Sequence, residues 1–173
     1  MARHEPVSVQ LCELNPLIEE LKPLLATSLG KSVRLELELG DGLPTVPMDA
    51  SALSHALLNL AINSRDALAG STADARVVVR TSLLRVDATE HPMMKAGLMA
   101  VVSIEDNGPG MTPEVQERVF EPFFTTKEAG QGTGLGLAMV RAFTEQLGGG
   151  VRLTSVPGEG TVVQMLFPTE GRS

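Results

Sequence analysis

The sequence predicts a two-layer α+β sandwich, in which helices cover one face of a mixed β-sheet. Segments that alternate between apolar and polar residues are interleaved with segments of helical periodicity. Apolar residues make up 43% of the 173 residues and charged residues 20%, which is the balance of a globular protein with one core. Trp and Tyr are absent and Phe occurs five times, so the core must be built from aliphatic side chains.

The first half of the chain is expected to contain three strands and two helices. Residues 7–12 alternate weakly as a strand, and the apolar residues from Asn15 to Leu29 recur at helical spacing. Val33 to Leu39 alternates cleanly as a second strand, and a short extended piece runs from Thr45 to Met48. Asp49 is expected to cap a long helix that ends near Ala69.

The second half is expected to continue the sheet around one long irregular segment. The predicted elements are strands from Arg76 to Val86 and from Leu98 to Asp106, a helix from Gly134 to Leu147, and a hairpin of strands Val151–Val156 and Thr161–Phe167. Residues 107–133 are rich in Gly, Pro and Thr, and within them Thr112 is placed to cap a short helix. No repeat or linker divides the chain, so we expect a single domain over residues 1–173.

Charge and cysteine content exclude several classes of protein. The net charge of −7 argues against a nucleic-acid partner, because phosphate backbones are bound by clustered Lys and Arg. Cys12 is the only cysteine, which excludes an intrachain disulfide and any multi-cysteine metal site. No apolar run approaches the ~20 residues that span a bilayer. We therefore expect a cytoplasmic domain, although a membrane-anchored parent protein would not be visible from this sequence.

A polar stripe runs along the long second helix. On a helical wheel, Asn59, Asn63 and Asp66 fall within about 60° of each other, at the edge of the apolar arc. Oxygen-bearing side chains in such a position suit magnesium, which also takes ligands from phosphates and water. Taken alone, the stripe fits ordinary boundary residues better than a metal site.

Asp106 closes a strand whose other residues on the same side are apolar. Ala100, Val102 and Ile104 precede it in this row, so the carboxylate is expected to point into a pocket, where it needs a hydrogen-bond donor. The exocyclic amine of adenine is such a donor. The alternative is a turn aspartate that stabilises its own loop, and the alternating row favours the ligand.

A glycine series precedes and enters the predicted third long helix. Gly130, Gly132, Gly134 and Gly136 alternate with other residues, which exposes several N–H groups to phosphate at a helix N-terminus. The sequence lacks the lysine of a P-loop, and Leu135 stands where the dinucleotide fingerprint needs its third glycine. The series therefore predicts a phosphate-binding loop of another kind.

Four segments together resemble the GHKL superfamily of ATP-binding domains and, within it, the histidine kinases. Asn59–Ala67 resembles the N box and Asp106–Gly110 the first glycine box. Phe120–Lys127 resembles the F box, and Gly132–Leu137 resembles the second glycine box. The four occur in the family's order. The resemblance implies a Bergerat-type ATP-binding fold with a long ATP lid within residues 107–133.

The resemblance also implies roles for individual residues. Asn63 would bind magnesium and take part in catalysis, and Asp106 would accept a hydrogen bond from adenine. Lys127 would be a catalytic residue of the lid that contacts phosphate, although a solvated surface lysine fits the sequence equally well. Phe120, Phe123 and Phe124 would pack the lid against partner helices, or form a core cluster. The full nucleotide-binding set that we expect is Asn59, Asn63, Asp66, Asp106, Gly108, Gly110, Lys127, Gly132, Thr133, Gly134, Leu135 and Gly136, with ATP, the product ADP and magnesium as ligands.

Asn59 distinguishes this sequence from the neighbouring, ATP-hydrolysing branch of the superfamily. In gyrase-, MutL- and Hsp90-like members, a glutamate four residues before the magnesium-binding asparagine acts as general base on water. Asn59 cannot accept a proton at neutral pH, so transfer to another protein is favoured over hydrolysis. A GHKL ATPase, a serine kinase of anti-sigma type and a nucleotide-binding docking module are the alternatives.

The phosphoaccepting histidine is expected outside this sequence. His4 precedes Pro6 and a strand rather than lying in an amphipathic helix, while His55 and His91 have the surroundings of surface residues. Residues 1–6 resemble the linker that follows a dimerisation hairpin. The expected partners are a dimerisation and histidine-phosphotransfer domain and, indirectly, a response regulator receiver domain. The isolated domain is expected to be monomeric and its parent homodimeric.

Overall fold

The computed structural model describes residues 8–70, 74–87, 96–125 and 136–169. Within these ranges, eleven helices and strands follow the order expected from the sequence. They are β1 (Gln10–Cys12), α1 (Leu14–Leu29), β2 (Arg34–Leu39), β3 (Val46–Met48), α2 (Ala50–Leu68), β4 (Arg76–Val86), β5 (Gly97–Asp106), α3 (Pro113–Arg118), α4 (Gly136–Gln146), β6 (Gly150–Val156) and β7 (Gly160–Pro168).

Five of the strands form one mixed sheet. Its order is β2-β4-β5-β7-β6, in which β2 is parallel to β4 and the other neighbours are antiparallel. The register sets Asp106, the last residue of β5, between Val77 on one side and Thr161 on the other. The strands β1 and β3 pair separately as a two-stranded sheet.

The helices α1, α2 and α4 pack on one face of the five-stranded sheet, which confirms the predicted two-layer sandwich. The side chains of Ala100, Val102 and Ile104 on β5 enter the main core with Leu53, Leu57 and Leu60 of α2. Alternate residues of the same sheet, including Met99 and Val101, form a smaller apolar cluster. Phe143 and Phe167 make a tilted aromatic contact in the main core, with ring centroids 5.7 Å apart.

Two predicted helix caps are confirmed. The Asp49 carboxylate accepts from the N–H of Ala52 at 3.2 Å, and the Thr112 hydroxyl accepts from the N–H of Val115 at 3.3 Å. Each bond satisfies one of the N–H groups that a helix start leaves without a partner. The first strand is shorter than expected, since it begins at Gln10 within the described residues.

Candidate nucleotide-binding site

A cavity of about 460 Å³ opens between α2, the end of β5 and the residues that follow it. This volume is within the range of small-molecule sites. Residues of α3, β7 and the start of α4 complete its wall. Six residues that the sequence assigned to a nucleotide site line this one cavity, and these are Asn59, Asn63, Asp66, Asp106, Gly110 and Gly136.

The Asp106 carboxylate is the buried acceptor of the cavity. It is 6% exposed, and one of its oxygens accepts from the N–H of Gly108 at 3.0 Å. Burial raises the pKa of the Asp106 carboxyl. Hydrogen bonds that favour the ionised form oppose this rise, and they come from the Gly108 N–H, the Ser64 hydroxyl and the Thr161 N–H. The carboxylate is thus held in place by donors while it also lines the cavity.

The polar stripe of α2 faces the start of α4. A methyl group at Gly136 would lie 3.9 Å from the amide nitrogen of Asn63 and 4.0 Å from the β-carbon of Asn59. The Asp66 carboxylate also lines the cavity and forms an ion pair with Arg65 at 3.1 Å. The structure therefore brings together two segments that are more than seventy residues apart and that the sequence had linked only through a resemblance.

The two glycines after Asp106 serve different purposes. Gly110 has φ +73°, and a β-carbon there would lie 2.3 Å from the carbonyl oxygen of Val156, so a larger residue would force the backbone to shift. Gly108 is not among the residues that line the cavity. It lies behind the Asp106 carboxylate, where a β-carbon would come within 3.0 Å of the carboxylate oxygen.

Alanine at position 110 is expected to destabilise the fold. The positive φ costs roughly 1–2 kcal/mol and the overlap with Val156 roughly 1–3 kcal/mol more, so Gly110→Ala should lower the free energy of unfolding by about 2–5 kcal/mol in a urea titration. Gly158→Ala is the matched control, since Gly158 has φ +86° and nothing within 4 Å of the added carbon. Equal losses in the two variants would show that the close approach of Gly110 to Val156 has no energetic consequence.

The F-box phenylalanines lie in three different environments. Phe124 lines the cavity, with the Arg118 guanidinium 4.6 Å from its ring centroid. Phe120 lies 5.6 Å from the guanidinium of Arg141, so this segment packs beside the first turns of α4. Phe123 is 75% exposed and has φ +68°, a conformation that a residue with a β-carbon rarely adopts.

Several cavity residues were not predicted from the sequence. They are the apolar side chains that follow the first glycine box, Met111, Val115 and Val119, together with Thr161 and Val163 of β7. The β7 residues reach the site because the register pairs Asp106 with Thr161, and such long-range pairing carries no local signal. Ala67, the last residue of the predicted N box, is exposed at the cavity wall.

Five of the predicted site residues lie outside the described residues: Lys127, Gly132, Thr133, Gly134 and Leu135. The histidines His4 and His91 also lie outside them. His55 is exposed on α2, as expected of a surface residue. None of the helices in the described ranges has the length and apolar character to span a bilayer.

A comparison with known protein families identifies the family of the chain that forms this site. The model of the family "Histidine kinase-, DNA gyrase B-, and HSP90-like ATPase" matches residues 48–171, which contain every residue of the cavity. The chain belongs to this family of ATPase-like domains. The resemblance found in its four motifs is therefore confirmed at the level of the family.

Curated proteins that are similar in sequence to this family member are named as sensor kinases. Sensor kinase CckA of Brucella abortus is 34% identical over 96% of the chain, and the histidine-protein kinase AtoS of Escherichia coli is 33% identical over 92%. The chain spans 18% and 24% of the lengths of these two curated relatives.

Solved structures confirm the fold of the family member. The mycobacterial sensor histidine kinase MprB superposes with a TM-score of 0.68 at 25% identity, covering 92% of this chain and 97% of that one. Full-length ShkA in complex with AMPPNP has a TM-score of 0.73 at 24% identity, covering 96% of this chain and 32% of that one.

Proposed function

We propose that this chain is the ATP-binding catalytic domain of a sensor histidine kinase and transfers the γ-phosphoryl group of ATP to a histidine on a separate dimerisation domain. One observation carries the proposal: a buried carboxylate, the amide of Asn63 and the start of α4 line a single cavity. The family match and the ShkA structure with AMPPNP support ATP as the ligand. We propose that residues 1–173 act as one domain, of which 1–6 belong to a linker.

In the proposed complex, Asp106 accepts a hydrogen bond from the exocyclic amine of adenine. Guanine carries a carbonyl oxygen at that position, which a carboxylate would repel, so the pocket favours ATP over GTP. The phosphates would lie toward Asn63 and Gly136, where α4 begins and its N–H groups attract negative charge. Lys127 and the glycines from 132 to 134 would add contacts to the same phosphates.

The cavity fits a magnesium ion bound together with the nucleotide. Magnesium takes oxygen ligands and usually keeps several waters, so one amide oxygen from Asn63 and the phosphate oxygens form a suitable set. When bound, magnesium would neutralise charge on the transferred phosphoryl group. By holding the magnesium ion, Asn63 would orient the phosphates that bind to the same ion. Asn59 and Asp66 lie along the same face of α2.

Transfer would proceed by attack of a histidine nitrogen on the γ-phosphorus. The bond between that phosphorus and the oxygen bridging the β- and γ-phosphates breaks, ADP leaves with the electron pair, and the imidazole loses the proton on its other ring nitrogen to solvent. This chain contributes positioning and charge neutralisation rather than covalent chemistry. Asn59 cannot take a proton from water at neutral pH, which favours the protein acceptor over hydrolysis.

The proposed partner is a helical dimerisation domain of the parent kinase, with a response regulator receiver domain downstream. Phe123 and Met139 are exposed apolar side chains, with 75% and 59% of their surface accessible. They lie on two neighbouring segments, which meet where the Arg141 guanidinium contacts the Phe120 ring. We propose that this surface contacts the helices that carry the acceptor histidine. A monomeric isolated domain, a dimeric parent and a cytoplasmic location belong to the same proposal.

Replacing Phe123 tests this surface. Phe123→Gly removes the side chain and relieves a positive φ that costs roughly 1–2 kcal/mol, so the fold should be retained. We expect unchanged ATP affinity and roughly tenfold slower transfer to the dimerisation domain, the size of one well-packed contact. Leu83→Ser on β4 is the control, since Leu83 is also exposed and lies outside the cavity wall. Transfer at the wild-type rate in Phe123→Gly would place the partner elsewhere.

The proposed function itself is tested with γ-labelled ATP. The purified chain is mixed with the separately purified dimerisation domain of the same natural protein, in the presence of magnesium. We expect the label on that domain as a phosphohistidine, which is lost in acid and kept in base, and little release of free phosphate by this chain alone. Steady ATP turnover without the partner would instead favour an ATPase, and an acid-stable label would favour a serine kinase.

A further inference from the structure

A cluster of polar groups lies between the residues after the first glycine box and the β6–β7 hairpin. Its centre is the Ser155 hydroxyl, which accepts from the N–H of Met111 at 2.8 Å and lies 2.8 Å from the Thr161 hydroxyl. Ser155 is the residue paired with Thr161 across the hairpin. We call Met111, Gln116, Ser155 and Thr161 the Ser155 cluster.

Gln116 of α3 completes the cluster from the other side. Its amide nitrogen donates to two backbone carbonyls, those of Met111 and Ser155, each at 2.9 Å. One side chain therefore joins the residue after the glycine box to the end of β6. A further bond between the two segments runs from the backbone N–H of Gly158 to the Pro109 carbonyl, at 2.6 Å.

The Ser155 cluster shares residues with the cavity wall and adjoins others. Met111 and Thr161 line the cavity directly, and Val115 does so from the residue before Gln116. The N–H of Thr161 is also one of the donors to the Asp106 carboxylate. The cluster thus ties one wall of the cavity to the strand that helps to hold Asp106, although neither Gln116 nor Ser155 lines the cavity.

We propose that Gln116 and Ser155 are positioning residues, which hold Met111 and Val115 against the bound nucleotide and thereby slow its release. This inference rests on the proposed nucleotide site and extends it to residues outside the cavity wall. Met111 can move away from β6, and so away from a bound nucleotide, only when the hydrogen bonds that its own N–H and the Gln116 amide donate to Ser155 are broken. Weakening the cluster should therefore increase the dissociation rate more than it lowers the association rate.

A purely structural role is the competing explanation, because the same bonds also join α3 to the hairpin. The two explanations differ in what they predict for the nucleotide. If the role is purely structural, substitutions in the cluster lower the free energy of unfolding and leave the dissociation rate of the nucleotide unchanged. If the residues position the cavity wall, the same substitutions change the dissociation rate and expose the Met111 N–H to solvent exchange in a protein that remains folded.

The test compares Gln116→Met, Ser155→Ala and wild type by stopped-flow dissociation of a fluorescent ADP derivative. Methionine matches the length of glutamine but has no N–H to donate. We expect roughly tenfold faster dissociation in each variant, and faster hydrogen exchange at the Met111 amide. The double variant should be less than additive, because both residues act through Met111.

Asn15→Leu is the matched control. Asn15 forms a similar polar bridge, since its amide donates to the Gly40 carbonyl at 2.7 Å and its oxygen accepts from the Thr81 hydroxyl at 2.7 Å, and none of these residues lines the cavity. It should lose stability without faster dissociation. Wild-type dissociation in Gln116→Met and Ser155→Ala, with nucleotide bound by all proteins, overturns the positioning role. Failure of the wild type to bind nucleotide would instead overturn the proposed function.

Discussion

Replacing Asn63 by alanine is expected to slow phosphoryl transfer by roughly a hundredfold or more, the effect of removing one preorganised polar group at a reacting centre. Asn63 is the amide on α2 that faces the start of α4, where we place the phosphates. Its loss should remove most of the dependence of the transfer rate on magnesium concentration. Adenine recognition lies elsewhere in the cavity, so the affinity for adenosine should not change.

The Asn63 prediction is checked by measuring the transfer rate against magnesium concentration at saturating ATP. Asn59→Ala serves as the comparison, because Asn59 lies one helical turn away in the same cavity and is not proposed as the metal ligand. It should retain a strong response to magnesium. If Asn63→Ala transfers phosphate at the wild-type rate, the metal ligand has been assigned to the wrong residue.

Asp106→Ala is expected to weaken ATP binding by roughly 1.5–3 kcal/mol, or about ten- to one-hundred-and-fifty-fold, the range for a hydrogen bond to a charged group. The carboxylate is 6% exposed and already held by the Gly108 N–H, so it is oriented before the nucleotide arrives. Calorimetric titration measures the loss. Asp41→Ala, at an exposed turn outside the cavity wall, is the control and should bind normally.

The raised pKa of Asp106 predicts how binding and stability depend on pH. The adenine amine requires the ionised carboxylate as acceptor, so ATP affinity should fall as the pH is lowered through that raised pKa. The stability of the free protein depends on pH in the opposite direction. The folded state holds the extra proton between the unfolded and folded pKa values, so the contribution of Asp106 to stability is largest below the unfolded value and is lost as pH rises.

Asp106→Asn separates these two effects. The amide cannot ionise, so its ATP affinity should not show the fall in acid that the wild type shows. The variant should also unfold at a higher urea concentration than wild type at pH 7, because it removes a carboxylate that burial disfavours, and this advantage should shrink toward low pH. A wild-type affinity that is flat across mildly acidic pH would contradict the role given to the carboxylate.

Much of the fold could be predicted because its signals are local. The alternation that ends at Asp106 and the periodicity that ends near Leu68 each specify one element and its buried face, and Asp49 and Thr112 mark helix starts by their capping chemistry. The pairing of strands is not local. Nothing near β7 indicates that it lies beside β5, so the sequence could not place Thr161 next to Asp106.

The same distinction between local and long-range signals applies to the candidate site. Asp106 stands out because a polar residue closes an apolar row, and Asn63 was assigned only through the resemblance of the N box, whereas Met111 and Val115 look like ordinary apolar residues in an irregular segment. Ser64 is buried on α2, with 5% of its surface exposed, but its hydrogen bond to Asp106 depends on the distance between α2 and β5 and has no local signal. Gln116 shows its two bonds only once α3 and β6 are brought together.

A crystal structure of this chain with AMPPNP and magnesium tests the central claim most directly, through the distance from the exocyclic amine of adenine to the Asp106 carboxylate. The account predicts a hydrogen-bond distance of about 2.7–3.2 Å, with the phosphates beside Asn63 and the first turn of α4. An analogue bound outside this cavity, or one whose adenine amine faces away from Asp106, would contradict it.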